Sequence, residues 1–572
     1  MKKVIQRRPV PEHHELSTAL HPVIRRVLAA RQMTDPSQLD YATKNIHPYQ
    51  LLSGINAAVA LLVDSLQRQQ RILIVADYDA DGATGCALLI KALHQMGAHH
   101  LKFIVPNRER NGYGLSPEIV QLALPHRPEL LITVDNGIVS TRGVAAAKSH
   151  GIRVLITDHH SPNSILPDAD AIVNPRLPND DFPSKNLSGV GVAWYVMIAL
   201  RAKLREIGWF QQQNIVEPNL ANLLDLVALG TIADVVSLDY NNRILVEQGL
   251  RRIRAGECCL GISALIKIAG RNQNRLATSD LAFSIAPRLN AAGRMDDMSY
   301  GIGCLLCENL KEANEYAENL DFFNGERRYV EAEMHQTATE MLDELQQQAN
   351  LPIGLCLFNE MWHQGVIGIL AGRIKDKLQR PVVVFTAGQN GELRGSARSV
   401  ADVHIKDVIE SIAQQQPDLI HKFGGHAMAA GLTLFHHQQF DVFKQLFDFE
   451  VSKRLSKNQL HDIILTDGEL FSQDFNVELA ESLRFVAPWG QGCLEPLFEG
   501  EFEVLEYKLL KEKHLKLWIR ATPRDTPLEA IHFHWGHQTL QCQRVHIVYK
   551  LDVNEFRGTK SVQLLITHLE SC

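Results

Sequence analysis

Five short apolar runs, at 72–75, 103–105, 130–134, 154–157 and 171–173, are separated by stretches long enough to form a helix. That alternation predicts an α/β unit with a parallel sheet and crossover helices. In open sheets of this kind the carboxyl ends of the strands line the ligand crevice, so whatever follows each run should converge in space. The first run leads into Asp77, Asp79 and Asp81, and the second into Pro106-Asn-Arg108. The third leads into Asp135-Asn-Gly137, the fourth into Asp158-His159-His160, and the fifth into Asn174-Pro-Arg176. Any one of these is an ordinary polar turn; five in succession at one edge outrun that explanation.

The opening stretch, Arg71 to Gly82, places three carboxylates at alternating positions where a strand ends and a helix has yet to begin. Carboxylates that close repel one another unless a cation or several donors compensate them, and oxygen-rich clusters suit hard divalent ions such as magnesium or manganese. Taken alone, the segment reads equally as a turn. Leu187-Ser-Gly-Val-Gly-Val192 opens a helix, either presenting backbone donors to an anion or using its glycines for close packing. Residues 223–234 form a nearly all-apolar helical stretch from which Asp234 emerges; a carboxylate in such company is expected to be paired or metal-bound. Ala286-Pro-Arg288 to Arg294 reads as a loop offering two cations.

At 572 residues the chain is too long for one core, and roughly three to five domains are expected. No run of about 18 apolar residues appears, so no membrane span is expected. The basic N-terminus lacks the apolar stretch of a secretory signal. Nine cysteines without a second zinc-type pair point to a reduced, cytoplasmic protein. A net charge of −7 does not advertise a nucleic-acid binder, yet residues 505–572 carry ten Lys or Arg against seven Asp or Glu.

The expected organisation is a helical lead-in over 1–45, the first α/β domain over 46–304 and a connecting helix region over 305–348, interrupted at Gly325. A second α/β domain follows over 349–454 and a small β-barrel over 455–572. The second domain holds Trp362 to Gly368, Gly395-Ser396-Ala-Arg398-Ser399 and Phe423-Gly424-Gly425-His426 to Gly431, read as loops that bind phosphate through backbone N–H groups and a forked cation. The barrel interleaves Lys511, Lys513, Lys516, Arg520, Lys550, Arg557 and Lys560 with His514, Trp518, Tyr549 and Phe556. Cations that track a backbone and aromatics that stack bases make an OB-type single-strand binder; a solvated basic face over an aromatic core is the alternative.

Asp158-His159-His160, joined to the Asp-x-Asp-x-Asp opening, Asp135 and Asp234, resembles the DHH phosphoesterase superfamily. Trp362–Gly368 and Gly424–Gly431 resemble the associated DHHA1 domain, and Tyr549 to Gly558 narrows the likeness to the bacterial single-stranded-DNA exonucleases of that superfamily. It covers the chain from about residue 46.

The resemblance implies a parallel-sheet DHH domain, helix-linked to an α/β DHHA1 domain, with an OB-type barrel. It further implies 5′-to-3′ exonuclease action on single-stranded DNA in repair and recombination, releasing nucleoside 5′-monophosphates with two divalent cations, Mn2+ or Mg2+. Asp79, Asp135 and Asp77 would hold one ion, Asp77 standing where relatives often carry histidine. Asp81, Asp135, His159 and Asp234 would hold the other. His160 would lie beside the scissile phosphate, with Asp158 orienting the histidines. Arg108, Arg288, Ser396, Arg398, Gly424, Gly425 and His426 would grip DNA or its 5′-phosphate, and Lys513, Lys516, Tyr549, Phe556 and Arg557 would track the strand. Implied partners are single-stranded-DNA-binding protein and a RecQ-type helicase, with a monomeric protein and no membrane. Two rivals, a phosphodiesterase of short oligonucleotides and a non-catalytic scaffold, sit poorly with the extra barrel and with the full acidic set.

Overall fold

The computed structural model describes residues 3–107, 114–347, 351–388, 391–455, 462–536, 540, 542–556 and 558–572. An N-terminal strand, β1 (Lys3–Arg7), precedes a short helix, Pro22–Ala29. The first α/β unit contains β2 (Ile72–Ala76), β3 (Leu101–Ile104), β4 (Leu130–Val134), β5 (Arg153–Thr157) and β6 (Ala171–Val173). They form one parallel sheet in the order β3-β2-β4-β5-β6. Every residue of β2 and β4 is buried, as a parallel sheet covered on both faces requires. The helices Ala80–Gln95, Gly189–Glu206 and Leu224–Ala233 pack together on one face. Leu224–Ala233 is apolar on all sides, which fits its burial between neighbours rather than at the surface.

Ala286–Met295 is a helix, not a loop, and follows a π-helical turn at Leu281–Ile285. The connecting element is one uninterrupted helix, Leu310–Gln347. Gly325 does not break it, because one glycine inside a long helix costs only about 1 kcal/mol, and flanking packing by Leu320 and Met334 holds the helix down.

The second α/β unit has β7 (Leu355–Phe358), β8 (Val382–Ala387), β9 (Leu393–Arg398), β10 (Ile420–Gly425) and β11 (Ala429–Leu434), ordered β10-β11-β9-β8-β7. The Ser396 and Gly424 segments are therefore strands, not loops. Gly395 is required there because a Cβ would lie 2.5 Å from the Phe385 ring. Next comes β12 (Asp462–Thr466), which pairs in parallel with β1. Arg31 secures that junction by an ion pair of 2.7 Å with buried Asp467. The last five strands, β13 (Phe498–Leu510), β14 (His514–Arg520), β15 (Leu528–His532), β16 (Arg544–Phe556) and β17 (Thr559–Ser571), close into a barrel. All nine cysteines are free thiols, and among the described residues no single helix is long and apolar enough to cross a membrane.

Candidate metal centre

Each strand of the first sheet ends where the parallel ladder releases the chain, and the acidic residues start there. The Asp77 N–H still donates to Val134 O at 3.2 Å. Asp79 then caps the helix Ala80–Gln95, its Oδ1 accepting from the N–H groups of Asp81 and Gly82 at 3.0 and 3.1 Å. Asp81 lies in the first turn, and its two oxygens accept from Gly189 N (2.6 Å) and Val190 N (2.9 Å). The donors of the Leu187–Val192 segment are thus spent on Asp81 and not on a ligand. Asp135 follows β4 in a left-handed conformation, φ 62°, the sort of strain that clusters at functional sites. Its backbone passes so close to Gly189 that a Cβ there would stand 2.5 Å from the Asp135 Cβ. Asp158, His159 and His160 follow β5, and Asp234 ends the helix Leu224–Ala233.

These elements bring the side chains together. His159 Nε2 lies 2.9 Å from Asp135 Oδ1, 3.5 Å from Asp234 Oδ2 and 3.9 Å from Asp81 Oδ2. Three groups have mutually close ligand atoms: Asp77 with Asp79 and Asp135; Asp81 with His159 and Asp234; and Asp135 with His159 and His160. Burial, and then Asp79, push Asp81 up to about 7. Burial also raises Asp135 and Asp234 well above the ordinary carboxylate range, reinforced in each by Asp81 and then Asp79. Burial and the adjacent His160 lower His159 to about 3, so its imidazole is neutral, and neither ring nitrogen makes a hydrogen bond among the described residues. A neutral buried imidazole among carboxylates that resist ionisation is a donor set that a divalent cation completes. The residues fit the ions.

Asp158 plays a different part. Its Oδ1 accepts from the N–H groups of His159 (2.7 Å) and His160 (3.0 Å) and lies 2.8 Å from His160 Nδ1. Its Oδ2 accepts from Ile138 N at 2.9 Å. Burial opposes its ionisation, but the bond with His160 and the histidine charges hold it down at about 2. Against its own burial, His160 is raised by Asp158.

The second α/β unit closes over this edge. His426, in the turn between β10 and β11, stacks on His160 with ring centroids 5.2 Å apart and planes at 18°. Arg294 Nη1 donates to Gly365 O at 3.0 Å. Ser396 and Arg398 share a face of β9 beside Gly368, where a Cβ would lie 3.0 Å from Ser396 Oγ and 2.9 Å from Arg398 Nη2. Ser396 pairs in register with Gly431, and Gly431 with Gly424. Neither glycine has an atom within 4 Å of a Cβ position, so the row is an open shelf. Gly425, at φ 144°, turns the strand towards His426.

Other expectations need correction. Arg288 does not reach out of a loop: it is nearly buried on a helix, 2.8 Å from Asp321 and donating to Ser284 O. Tyr549 is fully buried and packs against Phe475, Phe498 and Phe502 inside the barrel, where its ring presents no face to the surface. Lys516 is neutralised by Glu529 at 2.9 Å, though it still lies over the half-exposed Trp518 ring. Arg520, Lys550 and Lys560 likewise pair with Glu503, Glu495 and Glu481. Lys513 stays exposed at the β13–β14 turn. Arg108, Arg557 and the Phe556 side chain lie outside the described residues. A residue not singled out in the sequence is Asn290, whose Oδ1 accepts from Ala80 N at 2.8 Å; the segment around it draws notice for its arginines.

A parallel sheet with acidic and histidine side chains at its carboxyl edge, capped by a second α/β unit, defines a DHH-type phosphoesterase class of fold and site. The family model for the DHH family, N-terminal domain, matches residues 71–231, that for the DHHA1 domain matches 351–453, and that for the RecJ OB domain matches 466–568. Among relatives, the single-stranded-DNA-specific exonuclease RecJ of Dickeya dadantii is 48% identical over 99% of this chain and 98% of its own. That of Escherichia coli is 46% identical over the full length of both. The crystal structure of RecJ in complex with Mn2+ from Thermus thermophilus superposes with a TM-score of 0.80 at 26% identity, covering 100% of this chain and 79% of that one. A Mg2+ complex of the same protein gives a TM-score of 0.75 at 25% identity, with 100% and 78% coverage. The chain belongs to the RecJ family of single-stranded-DNA-specific exonucleases.

Proposed function

We propose that this protein hydrolyses phosphodiester bonds of single-stranded DNA from the 5′ end, releasing nucleoside 5′-monophosphates. One observation carries the reading: Asp135 and His159 each belong to two of the close ligand groups at the sheet edge. Shared ligands are what a pair of adjacent divalent cations needs. Asp77, Asp79 and Asp135 would hold one ion, and Asp81, Asp135, His159 and Asp234 the other, Mn2+ or Mg2+. Such ions make water a nucleophile at neutral pH and neutralise charge on the phosphoryl oxygens.

The chain's own residues supply position and proton control. Asp158 holds the ring of His160 through Nδ1, which sets the orientation in which the imidazole would meet a phosphate oxygen. His426 stacks on that ring and restricts its swing. Ser396 and Arg398, over the Gly424–Gly431 shelf, form a pocket for a terminal 5′-phosphate; with the reacting phosphate at the sheet edge, this spacing selects an end over an interior bond. Lys508, Lys511 and Lys513, which make no ion pair among the described residues, put cations on one hairpin of the barrel to guide the strand. Action in DNA repair within the cytoplasm, with single-stranded-DNA-binding protein and a RecQ-type helicase, rests on the family alone.

The test is digestion of 5′-labelled, 3′-labelled and double-stranded oligonucleotides with Mn2+, with Mg2+ and with chelator. Immediate release of a 5′-labelled mononucleotide from single strands only, abolished by chelator, is expected. Early release of the 3′ label, internal cutting, or activity confined to dinucleotides contradicts the proposal.

A further inference from the structure

The fifth strand of the first sheet, β6, runs into Asn174-Pro-Arg176, and the metal chemistry leaves its arginine without a task. The turn hangs on the DHH motif itself. Asn174 Nδ2 donates to His160 O at 2.9 Å, and Asn174 Oδ1 accepts from Arg176 N at 2.8 Å. Arg176 Nε donates to Lys185 O at 2.9 Å, which fixes the plane of the guanidinium. Its two terminal nitrogens make no hydrogen bond and no ion pair among the described residues. The side chain is half-buried, and its charge bears on His159, Asp234 and His426 alike. Those three residues come from the end of β5, the end of the helix Leu224–Ala233 and the turn between β10 and β11. The region common to all three is the mouth between the two α/β units.

A planar cation held near Asp234, yet ion-paired with no carboxylate among the described residues, is placed for another anion. Guanidinium forks match phosphate oxygens with two parallel bonds. We propose that Arg176 contacts the substrate directly, its two terminal nitrogens taking non-bridging oxygens of the DNA backbone at the mouth of the metal centre. This rests on the nuclease reading, and it assigns to the first domain a phosphate contact of its own.

The experiment measures single-strand affinity by fluorescence anisotropy in chelator, across a range of NaCl, for wild type, Arg176→Ala and Arg176→Lys. It also measures kcat and KM on the same oligonucleotide with Mn2+. Removing one phosphate contact should flatten the slope of log K against log salt by about 0.7 for a single strand. Loss of a charge-assisted bond should lower kcat/KM by roughly 10- to 100-fold. Arg176→Lys should restore the salt slope but not the full rate, since lysine keeps the charge and loses the fork. A role confined to holding the turn would leave the slope unchanged. If Arg176→Ala melts early, Arg176→Gln, which keeps a side-chain donor for Lys185 O, gives the same slope test. An unchanged slope in a folded neutral variant overturns the proposal. Failure of the wild type to cleave overturns the nuclease reading instead, and the slope still decides Arg176.

Discussion

Gly189→Ala is the substitution whose effect follows most directly from the geometry of the centre. A Cβ at this position stands 2.5 Å from the Asp135 Cβ and 2.9 Å from both its Cα and Cγ. Carbon atoms pack at about 3.5–4.0 Å, so the separation must open by roughly 1 Å. Rotating the Asp135 side chain gives no relief, because Cα is part of the clash and the Asp135 N–H is tied to Thr157 O at 3.1 Å. If the helix retreats instead, the 2.6 Å bond from Gly189 N to Asp81 Oδ2 is lost. Either way one of the buried carboxylates moves, and a displacement near 1 Å costs on the order of 100-fold in rate. Overpacking adds about 1–3 kcal/mol of destabilisation. The assay is kcat/KM on labelled single-stranded DNA with Mn2+, with thermal unfolding and Mn2+ affinity measured alongside. Activity within about threefold of wild type with unchanged Mn2+ affinity would refute the idea that Gly189 spaces Asp81 from Asp135.

Three further outcomes are expected. Tyr549→Phe removes a fully buried hydroxyl that has no hydrogen-bond partner among the described residues, so stability should stay level or rise by up to about 1 kcal/mol. Single-strand affinity should not change, and weakened binding would return Tyr549 to the DNA path. Glu450 accepts from Ser411, Gln415, Lys453 and Arg454, and these bonds, against burial, hold its carboxyl at about 2. A folded pKa below the unfolded one stabilises above the unfolded value, and the contribution disappears as pH falls through 4.5 towards 2. Glu450→Gln should therefore cost about 2 kcal/mol at pH 7, less than the full shift because Lys453 is half-exposed, and much less at pH 3; urea unfolding that shows a pH-independent difference would count against it. Gly325→Ala should stabilise the long helix by about 0.5–1 kcal/mol, since nothing lies within 4 Å of the added methyl; a lower melting temperature would reveal a hidden contact.

The sheet and its acidic edge were legible because buried parallel strands announce themselves as continuous apolar runs, and the edge rule then groups Asp77, Asp135, Asp158 and His159. The same rule reached Arg176, though a lone arginine after a strand carries no chemical signature. The Leu187–Val192 donors were readable as donors, but their acceptor was not, because Asp81 lies more than a hundred residues away. Tyr549 misled through composition, as an aromatic among cations available for base stacking, whereas it faces the barrel core with Val545, Ile547 and Leu551, the alternation of its own strand. The basic look of the barrel also misled, since Lys516, Arg520, Lys550 and Lys560 answer glutamates brought near by folding. The pairing of β1 with β12 left no local trace, because its two strands lie at far-separated points of the chain.

Whether Asp135 joins two cation sites at the sheet edge is decided by titrating Mn2+ into wild type and Asp135→Asn, a change that keeps the side-chain shape and removes the charge. Two ions per chain are expected for wild type, with binding at both lost in Asp135→Asn and the fold intact by circular dichroism. An Asp135→Asn protein that binds Mn2+ with wild-type stoichiometry and affinity would contradict the account.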